Sequence, residues 1–438
     1  MASCIMTKHG EELQYSFEYQ TYEDNQELWF ECEDNGLVWD NGSCSTMYIG
    51  KERQKIIVPN SGNYTAKIYS PSTEIKGGYG TSGTYWVNWH KYINGTLIIG
   101  DRVESIPEYF MCECENLSQI TLSTRTILLN NIGDFAFYKT NVMGTNGRMD
   151  IRNIENIGIG AFSWCKNIRE FRVRWSNEKY SIGDNGCLID NGFFIGDGFY
   201  QAESIHTYPA GNPATSFSTD ISSIKPYAFV GASNLKTISF DGGLGNGFLY
   251  YNDPPYYYDF PIQPFEGCDN LENIYVTDNS YYSQDGILMY NDTVIFAPPK
   301  NTIYTLGAIC NGLGTIWTKA FPYNECLETI YLKSTCDTVD YLVNGYHLQN
   351  PFKNCLALRG FIIDSLNYND ITPFWIRDRR LRAYARNSEN TEETIYSSDV
   401  DIIETDAFYG TRLTTLNIEN GIEIQDSAIP DYVNIVRF

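Results

Sequence analysis

Four histidines, His9, His90, His206 and His347, supply every imidazole in this chain of 438 residues. None lies in the His-Glu-x-x-His spacing of a zinc protease. No Gly-x-Ser-x-Gly elbow, no phosphate-binding loop and no Gly-x-Gly-x-x-Gly placed between a strand and a helix is found either. Carboxylates are plentiful, and two of them roughly 5–10 Å apart across a sugar would make a glycosidase pair. Asp184, Asp190 and Asp197 cluster in sequence. However, Asp184 precedes Asn185-Gly186 and Asp190 precedes Asn191-Gly192, a setting in which Asp bonds its own backbone in a turn. Turn formation is their expected role. Calcium binding ranks ahead of catalysis, although no EF-hand pattern is present. We expect no catalytic residue, no cofactor and no metal site.

Two other clusters suit binding rather than reaction. Tyr250, Tyr251, Tyr256, Tyr257, Tyr258 and Phe260 surround Pro254 and Pro255. Tyr offers a flat apolar face with a polar tip and has few rotors to freeze, which suits sugar rings and protein hot spots alike. The competing role is packing of these rings on one another. Arg377, Arg379, Arg380, Arg382 and Arg386 form a basic cluster, followed by Glu389, Glu392 and Glu393. Internal pairing is the favoured reading. Docking of Arg379 and Arg380 onto an acidic partner is the alternative.

The frame that holds these clusters is a repeat. An aromatic is followed about six residues later by Leu or Ile, then by a hydrophobe three on and another two on. The pattern recurs at Phe162–Ile168–Phe171–Val173, Phe229–Leu235–Ile238–Phe240, Phe265–Leu271–Ile274–Val276, Phe321–Leu327–Ile330–Leu332 and Phe352–Leu358–Phe361–Ile363. Slipped copies begin at Phe110 and Phe408, and Phe137 opens a half copy. Such self-similarity marks a solenoid, in which stacked units share one core. Cys165, Cys268 and Cys355 each follow a repeat aromatic by three residues, where Ala232 stands after Phe229. A slot that takes Cys or Ala is small and buried. Cys112-x-Cys114 is a weak metal signal beside this packing role.

Within a unit, Ile224, Ala228, Ala232 and Leu235 suit a short helical or 3-10 segment, and Lys236–Phe240 suits a strand. The expected fold is therefore an α/β solenoid with a parallel sheet and short helical turns over residues 97–438. Insertions fall near 177–205, 241–262 and 333–350. Residues 1–96 carry no repeat. Alternation at Leu13, Tyr15, Phe17 and Tyr19, with turns at Asn41-Gly42 and Asn94-Gly95, predicts a small β-rich domain that caps the solenoid or docks it to a larger assembly.

The formal charge is −23. Phosphate binding needs clustered Lys and Arg, so nucleic acid and anionic membranes are poor partners. No stretch approaches the roughly 18–20 apolar residues of a membrane span. The opening MASCIMTKHGEEL lacks the apolar region of a secretory signal, and DYVNIVRF shows no anchor. Free thiols and no signal suit folding in a reducing cytosol, with later display on a virion. A bacterial cell surface is the alternative.

Ile224–Phe240 (IKPYAFVGASNLKTISF) and Ile159–Val173 (IGAFSWCKNIREFRV) resemble the BspA-like leucine-rich repeats, whose pattern is Ile-Gly, Ala-Phe, Cys, Asn-Leu and an Ile-rich strand. Ile182–Leu188 and Tyr282–Leu288 resemble the hairpin that often interrupts this family. The resemblance implies recognition or adhesion on protein or glycan partners, without catalysis. A structural component of a bacteriophage virion or fibre is the second reading, and a glycan-cleaving enzyme the third. The repeat aromatics are structural in every version. Phe229→Ala or Phe265→Ala is expected to lower the unfolding free energy by about 3–5 kcal/mol through cavity formation. A loss under about 1 kcal/mol in a denaturant titration would remove these rings from the core.

Overall fold

The structure, a computed structural model, describes residues 12–30, 37–40, 46–49, 54–70, 91–122, 128–144, 146–152, 154–192, 194–195, 199–200, 203–244, 264–278, 281–290, 293–301, 315–317, 320–321, 323–332, 336–339, 350–363 and 371–438. The chain forms two compact units. The first comprises Met1–Ala214, Ser223–Asn234 and Ile262–Gly267; the second comprises Thr215–Ser222, Leu235–Pro261 and Cys268–Phe438.

In the first unit, strand Glu12–Thr21 pairs antiparallel with Gly62–Ser70 on one side and Ile93–Ile99 on the other. Ile93–Ile99 then pairs in parallel with Leu117–Leu122. The boundary expected near residue 96 thus lies inside a strand. Phe17 and Tyr19 share one hydrophobic core with Phe110, Phe137, Phe162 and Cys165. Downstream pairing along the coils is parallel. Gln119 bridges to Met143, and Arg148–Asp150 pairs with Glu170–Arg172. A second narrow ladder joins Ser105–Ile106, Asn131–Ile132 and Asn156–Ile157.

The segments joining these ladders are not helical, which corrects the α/β label. Among the described residues the one helical element is the 3-10 turn Asp184–Gly186, and Asn185 inside it has φ of 54°. Four coils of the first unit instead place two residues, four apart, in the left-handed region. The pairs are Tyr109 and Glu113, Phe135 and Lys139, Gly160 and Trp164, and Tyr227 and Gly231. A helix cannot pass through such residues. The spacing of Ile224, Ala228 and Ala232 therefore marks turn corners rather than a helix face.

This backbone satisfies its amides by alternation. Phe135, Phe137 and Lys139 donate to Ile159, Ala161 and Ser163 of the next coil, at 2.9 to 3.0 Å. The intervening Ala136 and Tyr138 donate within the coil to Gly133 and Phe135. Asparagines continue the ladder at the surface. Asn167 Nδ2 donates to the Asn141 carbonyl at 2.7 Å, and Asn234 Nδ2 to the Asn212 carbonyl at 2.8 Å.

Inside, one aromatic per coil forms a column. Phe137 stacks on Phe162 at 5.6 Å, and Phe229 meets Phe265 at 5.6 Å. The insertion expected near 177–205 contains a three-stranded antiparallel sheet, Tyr180–Ile182, Leu188–Asp190 and Ser204–Thr207, and a short antiparallel pair, Phe194–Ile195 with Phe199–Tyr200.

The second unit repeats the plan. Thr237–Phe240 lies in parallel between Ser216–Thr219 and Asn273–Val276. Thr329–Leu332 pairs with Gly360–Ile363, and Thr415–Ile418 lies between Glu392–Ile395 and Asn434–Arg437. Asp406 and Gly410 are its left-handed pair. Phe321 meets Phe352 at 4.9 Å. Leu235, Cys268, Cys355 and Phe408 are buried. The hairpin expected near residue 285 is formed by Tyr281–Gln284 and Ile287–Tyr290.

Gly231 tests the turn geometry. Its φ is 85°, and an added Cβ would lie 2.8 Å from Trp164 Cα. Gly231→Ala is expected to lower the unfolding free energy by more than about 1 kcal/mol. Unchanged stability would show that this corner relaxes freely.

Candidate recognition face

Parallel register assembles a surface from two segments far apart in sequence. Arg148 stands opposite Glu170, Met149 opposite Phe171, and Asp150 opposite Arg172. Strand side chains alternate, so Met149 and Phe171 enter the core, and both are buried. Their neighbours face outward and form a checkerboard of charge. Arg148 Nε lies 2.5 Å from Glu170 Oε1, and Arg172 Nε lies 3.3 Å from the same oxygen. Arg152 Nε pairs with Asp150 Oδ2 at 2.6 Å.

Of these residues Asp150, Arg152, Glu170 and Arg172 line an open concavity of about 640 Å³ with Phe171, Val173, Ile182 and Gly186. Trp175 follows two residues beyond Val173 and is 98% exposed. Ile182 is 38% exposed. The arginines of this face are exposed, so their ion pairs are worth little and can be exchanged for a ligand at small cost.

Sequence reasoning missed this face. The signal was present in Arg172-Val173-Arg174-Trp175, a basic and aromatic run in an acidic chain. The second segment, Arg148-Met149-Asp150-Ile151-Arg152, gains meaning only through register.

The sites expected from sequence fall elsewhere. Tyr250, Tyr251, Tyr256, Tyr257, Tyr258 and Phe260 lie outside the described residues. So do most of the insertions near 241–262 and 333–350. Arg379 makes a two-pronged pair with Asp401 and donates to the carbonyls of Ser397 and Ser398. Arg380 Nε pairs with Glu404 Oε1 at 2.5 Å, and Arg382 approaches the other oxygen at 3.6 Å. Glu404 and Arg382 are buried. Both expected partner-binding arginines thus spend their charge within the second unit.

The candidate acids and thiols also have internal roles. Asp190 Oδ1 accepts from the Gly192 amide at 3.1 Å, as the turn reading requires. Its other oxygen lies 3.5 Å from Lys225 Nζ. Asp190 is buried, whereas Asp184 is exposed, so the two are not matched in environment. Cys165 Sγ donates to the Phe137 carbonyl at 3.0 Å, and burial pushes its thiol up to about 12. Burial likewise pushes Cys112 up to about 12. Neither is a ready thiolate. Among the described residues no group of three His, Cys, Asp or Glu could hold a metal ion. No helix among them is long and apolar enough to cross a membrane.

His206 closes the open end of a ladder. Its Nε2 donates to the Ile157 carbonyl at 2.9 Å, and its Nδ1 pairs with Thr207 Oγ1 at 2.8 Å. The Ile157 amide donates to the Tyr180 hydroxyl at 2.9 Å. Two side chains of the antiparallel insert therefore satisfy both backbone polar groups of Ile157. Burial lowers the His206 pKa from 6.5 to about 4, outweighing its hydrogen bond and the Asp190 charge.

A family match agrees with the stacked-coil plan. Residues 91–186 and 308–435 match the model of the BspA type Leucine rich repeat region, in 6 copies. A leucine rich cell surface protein from Faecalibacterium prausnitzii A2-165 is 18% identical with a TM-score of 0.39, over 65% of this chain and 64% of that one. The pneumococcal vaccine antigen PcpA is 14% identical with a TM-score of 0.32, over 78% of this chain and 62% of that one. A leucine-rich repeat protein from Bacteroides ovatus ATCC 8483 is 16% identical with a TM-score of 0.23, over 78% and 76%. The chain therefore spans less than two thirds of the first two structures. No curated protein matches the sequence.

The depressed His206 pKa predicts a pH-dependent stability. The unfolded chain takes up this proton near pH 6.5 and the folded chain only near pH 4. Stability from the neutral ring is complete above that window and lost as pH falls through it, by roughly 3 kcal/mol. Unfolding titrations at pH 7 and pH 4 are expected to differ by less in His206→Gln than in the parent. Equal differences would contradict a neutral buried ring.

Proposed function

The chain belongs to the BspA-type leucine-rich-repeat family, and on that premise we propose that it is a non-catalytic recognition module. It engages a protein or glycan through the outward face of Arg148–Asp150 and Glu170–Arg172, with Trp175 at the rim. The observation that carries this reading is the indole of Trp175, 98% exposed and two residues beyond Val173, which lines an open concavity with exchangeable charges. Covering about 100 Å² of indole would supply roughly 2–3 kcal/mol, enough to dominate a weak single-site interaction. Repeat scaffolds present such faces rigidly, because each coil is held by its neighbours.

The Tyr-rich segment with Tyr256, Tyr257 and Tyr258 is a second candidate surface within the same proposal. Docking through residues 1–96 would place the module on a larger assembly. Neither is needed for the face described above to bind.

Binding of the purified chain to a broad glycan array and to whole bacterial cells tests this reading. Saturable binding is expected, weakened at least tenfold by Trp175→Ala. The melting temperature is expected to be unchanged, because a 98% exposed ring contributes little packing. Binding unaffected by Trp175→Ala would move recognition to another surface.

A further inference from the structure

We infer that this face selects an acidic polysaccharide, one whose sugar rings carry carboxylates. The inference rests on the recognition reading above and narrows it to a ligand class.

The charge balance argues for an anion. The outward rows carry four guanidinium groups, from Arg148, Arg152, Arg172 and Arg174, against the carboxylates of Asp150 and Glu170 and that of Asp184 on the adjoining turn. A local positive surplus runs against a chain whose formal charge is −23. Arg148 and Arg172 share the single oxygen Glu170 Oε1. The guanidinium fork of each therefore keeps donors unused by that bond, and such forks match carboxylates in two-pronged geometry.

The shape argues for a saccharide over an acidic peptide. A peptide anchor needs a desolvated apolar pocket. Here the outward positions of both strands are charged, the apolar lining is Phe171, Val173 and Ile182, and Trp175 stands exposed two residues beyond Val173. A ring-shaped ligand can lay its apolar face on an exposed indole while its carboxylate reaches Arg152 or Arg172. Register sets each arginine opposite a carboxylate, so Arg148 and Arg172 stand on a diagonal, one strand across and two residues along. Their backbones are roughly 8 Å apart, more than one sugar ring spans, which favours a polymer over a single sugar.

The test measures binding of the full chain to polygalacturonate, to the same polymer fully methyl-esterified, and to polyglutamate. Polygalacturonate is expected to bind at least tenfold more tightly than either comparison polymer, and more weakly as salt screens the charges. The Arg152→Gln/Arg172→Gln double variant is expected to lose at least tenfold toward polygalacturonate, and Trp175→Ala a similar amount. Unchanged melting temperatures would show that each variant folds. Equal binding of the free and esterified polymers, still dependent on Trp175, would overturn the acidic-ligand inference and leave the recognition reading standing. Preference for polyglutamate would overturn the saccharide class. Absence of polygalacturonate binding, with hyaluronan and alginate also negative, would overturn the inference whatever the array shows.

Discussion

Every coil must turn without leaving its amides unpaired, and that requirement organises both units. A buried peptide group without a partner costs about as much as a lost hydrogen bond, and a solenoid has such groups in every turn. The chain meets the demand by placing residues such as Phe135 and Lys139 in the left-handed region. Amides of one parity then point along the stack and those of the other point back within the coil. Core rings, cysteine slots and strand register all follow from this alternation, because it sets how one coil sits on the next.

The same arrangement explains the distribution of aromatics and glycines. A left-handed Gly160 leaves space that the Phe135 ring occupies, since an added Cβ would meet Phe135 Cε1 at 2.5 Å. Tyr109 stacks on Phe135 at 5.3 Å, and Tyr227 meets the ring edge-on at 5.0 Å. Gly231 and Gly267 similarly make room beside Trp164. Large rings and absent side chains are thus complementary across neighbouring coils. The insert around Tyr180 and His206 follows the same principle by a different route. There, side chains rather than another coil take up the amide and the carbonyl of Ile157.

Much of this was legible in sequence. The Phe-to-Leu spacing marks the coils, and the Cys-or-Ala slot marks their tight interior. Asp190 before Asn191-Gly192 marks a turn. Two features were not legible, for physical reasons. Apolar residues at i, i+4 and i+8 fit a helix and a left-handed turn equally well, so Ile224–Leu235 looks helical until the φ of Tyr227 and Gly231 is known. The recognition face was hidden because its charges come from two segments about 22 residues apart. Arg148 and Glu170 become neighbours only through parallel register. The arginines that stood out in sequence, Arg379 and Arg380, are instead paired with Asp401 and Glu404.

The central claim is that ligand covers the outward face beside Trp175. Hydroxyl-radical footprinting of the full chain, with and without a saturating ligand, tests it directly. The account predicts that oxidation of Trp175 falls sharply on binding, while exposed rings of the second unit such as Tyr323 and Tyr432 are unchanged. Saturated binding that leaves Trp175 oxidation as it was would contradict it.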